Sequence, residues 1–131
     1  MTTRQDAGYP MLAPADPLRS VTGDARYIAS VLASIKGPIV LVGRSYAGMV
    51  ITNAAAGNPN VKALVYVGAC IPAVGESAVK LTGRFAGSEL TGALQQVPFN
   101  DGSTKGVDLY IKPSSYRQVF LGSTVSPRSP R

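Results

Sequence analysis

Residues 38–52 read Pro-Ile-Val-Leu-Val-Gly-Arg-Ser-Tyr-Ala-Gly-Met-Val-Ile-Thr. Ile39, Val40, Leu41 and Val42 form an unbroken apolar run rich in β-branched residues. That pattern predicts a strand covered on both faces within a parallel sheet. Gly43 ends the run, Ser45 follows two residues later, and Ala47, Val50, Ile51, Ala54 and Ala55 then recur at helical spacing. The stretch therefore predicts a strand, an abrupt turn of small residues with a serine at its apex, and a helix. Such a turn leaves the serine hydroxyl at the carboxyl end of a strand and at the positive end of a helix, where developing negative charge is favoured.

Working outward, the segment before this stretch is a helix. Val21, Ala25, Ile28, Leu32 and Ile35 fall at spacings of three and four, Ser20 is placed to cap the start, and Gly37-Pro38 stops it. On the other side, the second helix ends near Gly57, Asn58-Pro59-Asn60 supplies a turn, and Val61–Val67 is a second strand. About twenty residues and one helix between two such strands are the length of a right-handed parallel βαβ unit. A short extended piece at Tyr9–Ala13 is a candidate further strand, giving an α/β class with about three parallel strands and flanking helices.

Beyond Pro72 the texture changes. Residues 73–112 are rich in Gly, Ser and Thr, with short apolar pieces at Leu90–Val97 and Val107–Ile111 and a candidate helix from Ser114, as cap, to Phe120. The expected organisation is one domain over residues 1–131. It comprises a sheet core at 10–72, a cap-like or lid-like segment at 73–122, and a disordered tail at 123–131 ending in Ser-Pro-Arg-Ser-Pro-Arg.

Composition narrows the function classes. An apolar fraction of 45% with 15% charged residues predicts a globular chain. No apolar stretch approaches the roughly 20 residues of a membrane span, and the N-terminus lacks the apolar core of a secretory signal, so no membrane and a cytoplasmic setting are expected. The net charge of +6 is spread over scattered positions such as Arg19, Arg26, Lys36, Lys62 and Lys80. Few aromatic residues are interleaved with them, so nucleic acid is not an expected partner. Cys70 is the single cysteine, which suggests a small residue near a strand end and no metal cluster. The glycines at 83, 87 and 92 lack the spacing of a phosphate cradle, and no cofactor is expected.

Spacing alone leaves Ser45 two roles. It is either the N-cap of the helix in a Rossmann-like turn, or the nucleophile of an elbow, a strand–turn–helix motif that needs small neighbours because two backbones pass close together. Ala13-Pro14-Ala15-Asp16-Pro17-Leu18-Arg19, Val40-Leu41-Val42-Gly43-Arg44-Ser45-Tyr46-Ala47-Gly48 and Ala63-Leu64-Val65-Tyr66-Val67 together resemble the α/β-hydrolase superfamily, closest to its small bacterial esterase-like members. The resemblance runs from about residue 10 to about residue 120. Elbows of those members usually read Gly-His-Ser-Tyr-Gly-Gly, so Ser45 matches the nucleophile and Tyr46 the residue whose backbone N–H donates to an oxyanion. Two positions depart from the pattern: Arg44 stands where histidine is usual, and Ala47 where glycine is usual. By the resemblance, the chain covers only the middle of the hydrolase sheet and the start of its cap. The loop bearing the second oxyanion donor falls upstream, and the acid and histidine fall downstream.

The function this implies is ester hydrolysis on small carboxylic esters through Ser45. Catalysis is expected to be weak, because the chain contains no histidine and a serine hydroxyl needs a base. Lys36, Lys62, Lys80, Lys105 and Lys112, with Asp101 and Asp108, are the alternative bases, none singled out by spacing. Arg44 is either a contact for an anionic substrate or a solvent-facing loop charge. The alternative to catalysis is a non-catalytic fragment or assembly protein in which Ser45 is a relic. A sheet this narrow exposes edges and apolar faces, so a homo-oligomer covering them is expected.

Overall fold

The computed structural model describes residues 8–121. Its first helix, α1, spans Val21–Ala33. Ser20 caps it as expected: the backbone is extended there, and its Oγ accepts from the Gly23 N–H at 3.0 Å. Gly23, a helix-weakening residue, has a local purpose, since a Cβ at that position would crowd the capping hydroxyl. Ala25, Ile28 and Leu32 carry the buried stripe, and Gly37 turns the chain at φ +96°.

Strand β1 spans Ile39–Ser45, helix α2 spans Ala47–Ala54, and strand β2 spans Val61–Ala69. The two strands pair in parallel, from Ile39 opposite Val61 to Ser45 opposite Ala69. Both strands run further than the apolar runs alone suggest. The register passes from Arg44–Val67 to Ser45–Ala69, leaving Gly68 as an extra residue at φ +50°. A glycine bulge of this kind lets pairing resume beyond it.

One face of this sheet carries the core. Ala25, Ile28 and Leu32 of α1 meet Val50 and Ala54 of α2 and Ile39 of β1, with Leu41 and Val61 packed against them. The opposite face is open: Val40 and Val42 are each 59% exposed, Val65 42% and Val67 49%. The expectation of a strand covered on both faces therefore holds for one face only. The third parallel strand is not found either, because Tyr9–Ala13 is irregular and the described parallel sheet has two strands. The residues present thus form a mixed helix-and-strand fold containing one parallel βαβ unit.

The chain divides into two compact units, Met1–Ala78 and Val79–Arg131. The second is built on an antiparallel hairpin that the glycine-rich composition does not announce. Strand β3 (Leu94–Asn100) pairs with β4 (Lys105–Ile111), Leu94 opposite Ile111 and Asn100 opposite Lys105. The intervening turn is held by Asp101, whose Oδ1 accepts from the Ser103 and Thr104 N–H groups at 3.0 and 2.7 Å, an Asx-type turn. Short helices α3 (Ala78–Thr82) and α4 (Leu90–Ala93) precede it. The helix expected over Ser114–Phe120 is a short helix α5 at Pro113–Tyr116 followed by a π-helical turn at Arg117–Leu121. Its N-cap is Lys112 and not Ser114, because Pro113 occupies the first helical position, where its missing N–H costs nothing. The tail expected at 123–131 lies outside the described residues. No described helix is long and apolar enough to cross a membrane.

Candidate active site

Ser45 is the last residue of β1 and is exposed. Its φ is +54°, in the left-handed region, which for a residue other than glycine, asparagine or aspartate costs roughly 1–2 kcal/mol. Such a conformation persists only where the surroundings over-determine it. Here the Cys70 N–H, just past the end of β2, donates to the Ser45 carbonyl at 3.0 Å. Close packing does the rest. A Cβ at Gly43 would lie 2.8 Å from the Ala47 carbonyl oxygen and 2.9 Å from Ile51 Cδ1. A Cβ at Gly48 would run into the Cys70 carbonyl and lie 2.9 Å from Ala69 Cβ. The start of α2 is therefore pressed against the carboxyl ends of both strands. The packing requires glycine at 43 and 48, and position 47 tolerates the alanine it has.

The reading of Ser45 as a helix N-cap does not hold. Tyr46 occupies the N-cap position of α2, with φ −55° and ψ −35°, and no side-chain bond caps the helix. The serine hydroxyl is thus displayed at the junction of strand and helix without serving the helix. The first N–H groups of α2 lack intrahelical partners and carry its positive end toward this corner. The Tyr46 carbonyl accepts from the Met49 N–H at 2.9 Å, which commits Tyr46 to the first turn.

The Tyr46 side chain makes a polar contact with α1, 22 positions away in sequence. Its hydroxyl donates to Asp24 Oδ2 of α1 at 2.8 Å. Asp24 is 1% exposed, and its Oδ1 accepts from the Arg19 N–H at 3.4 Å. Burial, reinforced by the bond to Asp24, pushes the Tyr46 hydroxyl well above the usual tyrosine range, so it remains a donor at any ordinary pH. Asp16 borders the same network, and burial raises its pKa despite the bond it accepts from the Leu18 N–H. The spacing around Ser45 does not point to Asp24. The signal was present: Asp24 lies three residues after Val21 and four before Ile28, a carboxylate within the apolar stripe of a helix.

The other candidates lie on different elements. Arg44 is exposed and opposite Val67, on the open face of the sheet with Val40 and Val42. Lys62 donates to the Pro59 carbonyl at 2.7 Å. It stands at the start of β2, so at about 3.3 Å per residue it is about 20 Å from the serine end. Lys36 precedes β1 and belongs to that same far end. Lys80, Lys105, Lys112, Asp101 and Asp108 all belong to the second unit. Within it, Asp101 holds the hairpin turn and Lys112 donates to the Gly92 carbonyl at 2.9 Å. An open groove of about 400 Å³ in that unit, bordered by Ser88, Glu89, Ser115 and Gln118, contains none of the predicted site residues. No family model, curated protein or solved structure matches the chain.

Proposed function

We propose that this chain is a serine esterase-type hydrolase acting on small carboxylic esters, with the partial parallel sheet of an α/β-hydrolase. The observation that carries the reading is Ser45, a serine at φ +54° between β1 and α2, with Gly43 and Gly48 admitting the close approach of helix and strands. A strained, exposed serine on a sharp strand-to-helix turn is the arrangement that presents a nucleophile. Ser45 Oγ attacks the acyl carbon while its proton passes to solvent water, and the carbonyl oxygen becomes an oxyanion facing the Tyr46 N–H. The C–O bond to the leaving group then breaks and the leaving group departs as its anion; water later adds to the acyl-serine, returning a proton to Oγ and releasing the acid. With no histidine in the chain, esters with good leaving groups are the substrates of choice, because an anionic leaving group needs no proton. An oxyanion site and binding alone sustain on the order of 10³–10⁴-fold over water.

The test is hydrolysis of short-chain p-nitrophenyl esters by purified protein beside a Ser45→Ala variant prepared identically. A fast acylation phase that disappears in the variant is expected, and equal rates in the two samples would sink the proposal. The absence of histidine favours a second reading, a non-catalytic assembly protein in which Ser45 is a relic, and equal rates would leave that reading standing.

Homo-oligomerisation is part of the same proposal. The open face of Val40, Val42, Val65 and Val67, together with strand edges, is apolar surface that a second copy would bury. Sedimentation should show more than one copy per particle, and Val42→Lys should shift the mass to the monomer. A monomeric wild type would refute this part.

A further inference from the structure

We propose that Asp24 is a positioning residue of the Ser45 site, fixing through the Tyr46 hydroxyl the one residue whose backbone N–H faces the oxyanion. This inference rests on the esterase reading of Ser45. Both Asp24 oxygens are engaged, Oδ2 by the Tyr46 hydroxyl at 2.8 Å and Oδ1 by the Arg19 N–H at 3.4 Å. The side chain is buried where the helical stripe would otherwise hold an apolar residue. A carboxylate in such a place costs stability unless it is paired and hydrogen-bonded, and a helix with this stripe would pack without it.

Its two partners explain what it holds. The described residues contain two non-glycine positions at positive φ, Leu18 at +57° and Ser45 at +54°. Arg19 directly follows the first and Tyr46 directly follows the second, so one side chain ties both strained turns to α1. That helix is a firm base: Ser20 caps it, and Ala25, Ile28 and Leu32 anchor it in the core. Without the Tyr46–Asp24 bond, the elbow keeps its backbone bond from Cys70, but nothing polar fixes the ring that follows the serine. A drift of about 1 Å in a group that meets a transition state costs on the order of 10²-fold in rate.

The experiment compares full-length wild type, Tyr46→Phe, Asp24→Asn and the double variant. Acetylation of Ser45 by p-nitrophenyl acetate is followed by intact mass and by the p-nitrophenolate burst, with thermal unfolding recorded for each protein. Both single variants should acylate on the order of 10²-fold more slowly at saturating ester, with the half-saturating concentration unchanged, and the double variant should be no slower than the slower single. A purely structural role would instead lower the unfolding temperature and leave the acylation rate of the folded fraction intact. Should Asp24→Asn fail to fold, Tyr46→Phe decides alone, since it removes one oxygen from a half-buried ring. An adduct formed equally fast by wild type and Tyr46→Phe overturns the inference and leaves the esterase reading intact. No adduct on wild-type Ser45 overturns both.

Discussion

The two ends of the β1–α2–β2 unit solve the same geometric problem in opposite ways. At the amino end, chain reversal is relaxed. Left-handed backbone falls on Gly37 and Gly57, which adopt it without penalty. Asn58 and Asn60 satisfy the turn: Asn60 N–H donates to Asn58 Oδ1 at 2.9 Å, and Asn60 Nδ2 reaches the Ile35 carbonyl at 3.3 Å. The Ile39 N–H closes on the Asn60 carbonyl at 2.8 Å. At the carboxyl end the same requirement falls on Ser45, and backbones crowd so closely that Gly43 and Gly48 admit no side chain. The difference teaches where to look for chemistry. Within this unit the relaxed turns place glycine in the left-handed region, whereas the strand-to-helix turn places a serine there, an outlier of the kind that motivates the functional proposal for Ser45.

Substitutions at the two ends test this contrast. The largest effect is expected from Gly48→Ala, whose new methyl would collide with the Cys70 carbonyl. It should lower unfolding free energy by about 1–3 kcal/mol in denaturant melts and abolish Ser45 acylation as α2 is pushed off the sheet. Retained acylation with unchanged stability would show that the corner is not rigid. Next is Asn60→Ala at the relaxed end, which removes the Nδ2 bond to the Ile35 carbonyl and keeps the backbone N–H bond to Asn58 Oδ1. A loss of about 1 kcal/mol is expected, with acylation of the folded protein unaltered. The smallest effect carries the sharpest information. Ser45→Gly should raise stability by about 0.5–1 kcal/mol, because relief of left-handed strain exceeds the added chain entropy of glycine, while removing the hydroxyl proposed as the nucleophile. A destabilised Ser45→Gly would mean that Ser45 holds no strain, and the contrast between the ends would fail.

Much of the first unit is legible in its residues. The periodicity of Val21 to Ile35, the Ser20 cap, the apolar run at 39–42 and the turn at 58–60 each have a local cause, and each lies where that cause puts it. Less legible were features that depend on what lies across space. The length of both strands depends on the Gly68 bulge, and a glycine in sequence does not announce which partner residue it will skip. The second unit is harder still. The hairpin of β3 and β4 has short apolar runs interrupted by Gly, Pro and Asp, so its pairing is visible only once the Asp101 turn brings the strands together.

The sequence by itself determined the strand–turn–helix order around residues 38–52, the place of Ser45 at its apex and the absence of histidine, because local spacing and composition carry all three. The tertiary structure alone decided that Ser45 is left-handed, that glycine is required at 43 and 48 but not at 47, and that Asp24 reaches Tyr46 across 22 positions of sequence. Those are properties of backbones and side chains packed from separate elements, and spacing along one element carries no record of distances between two.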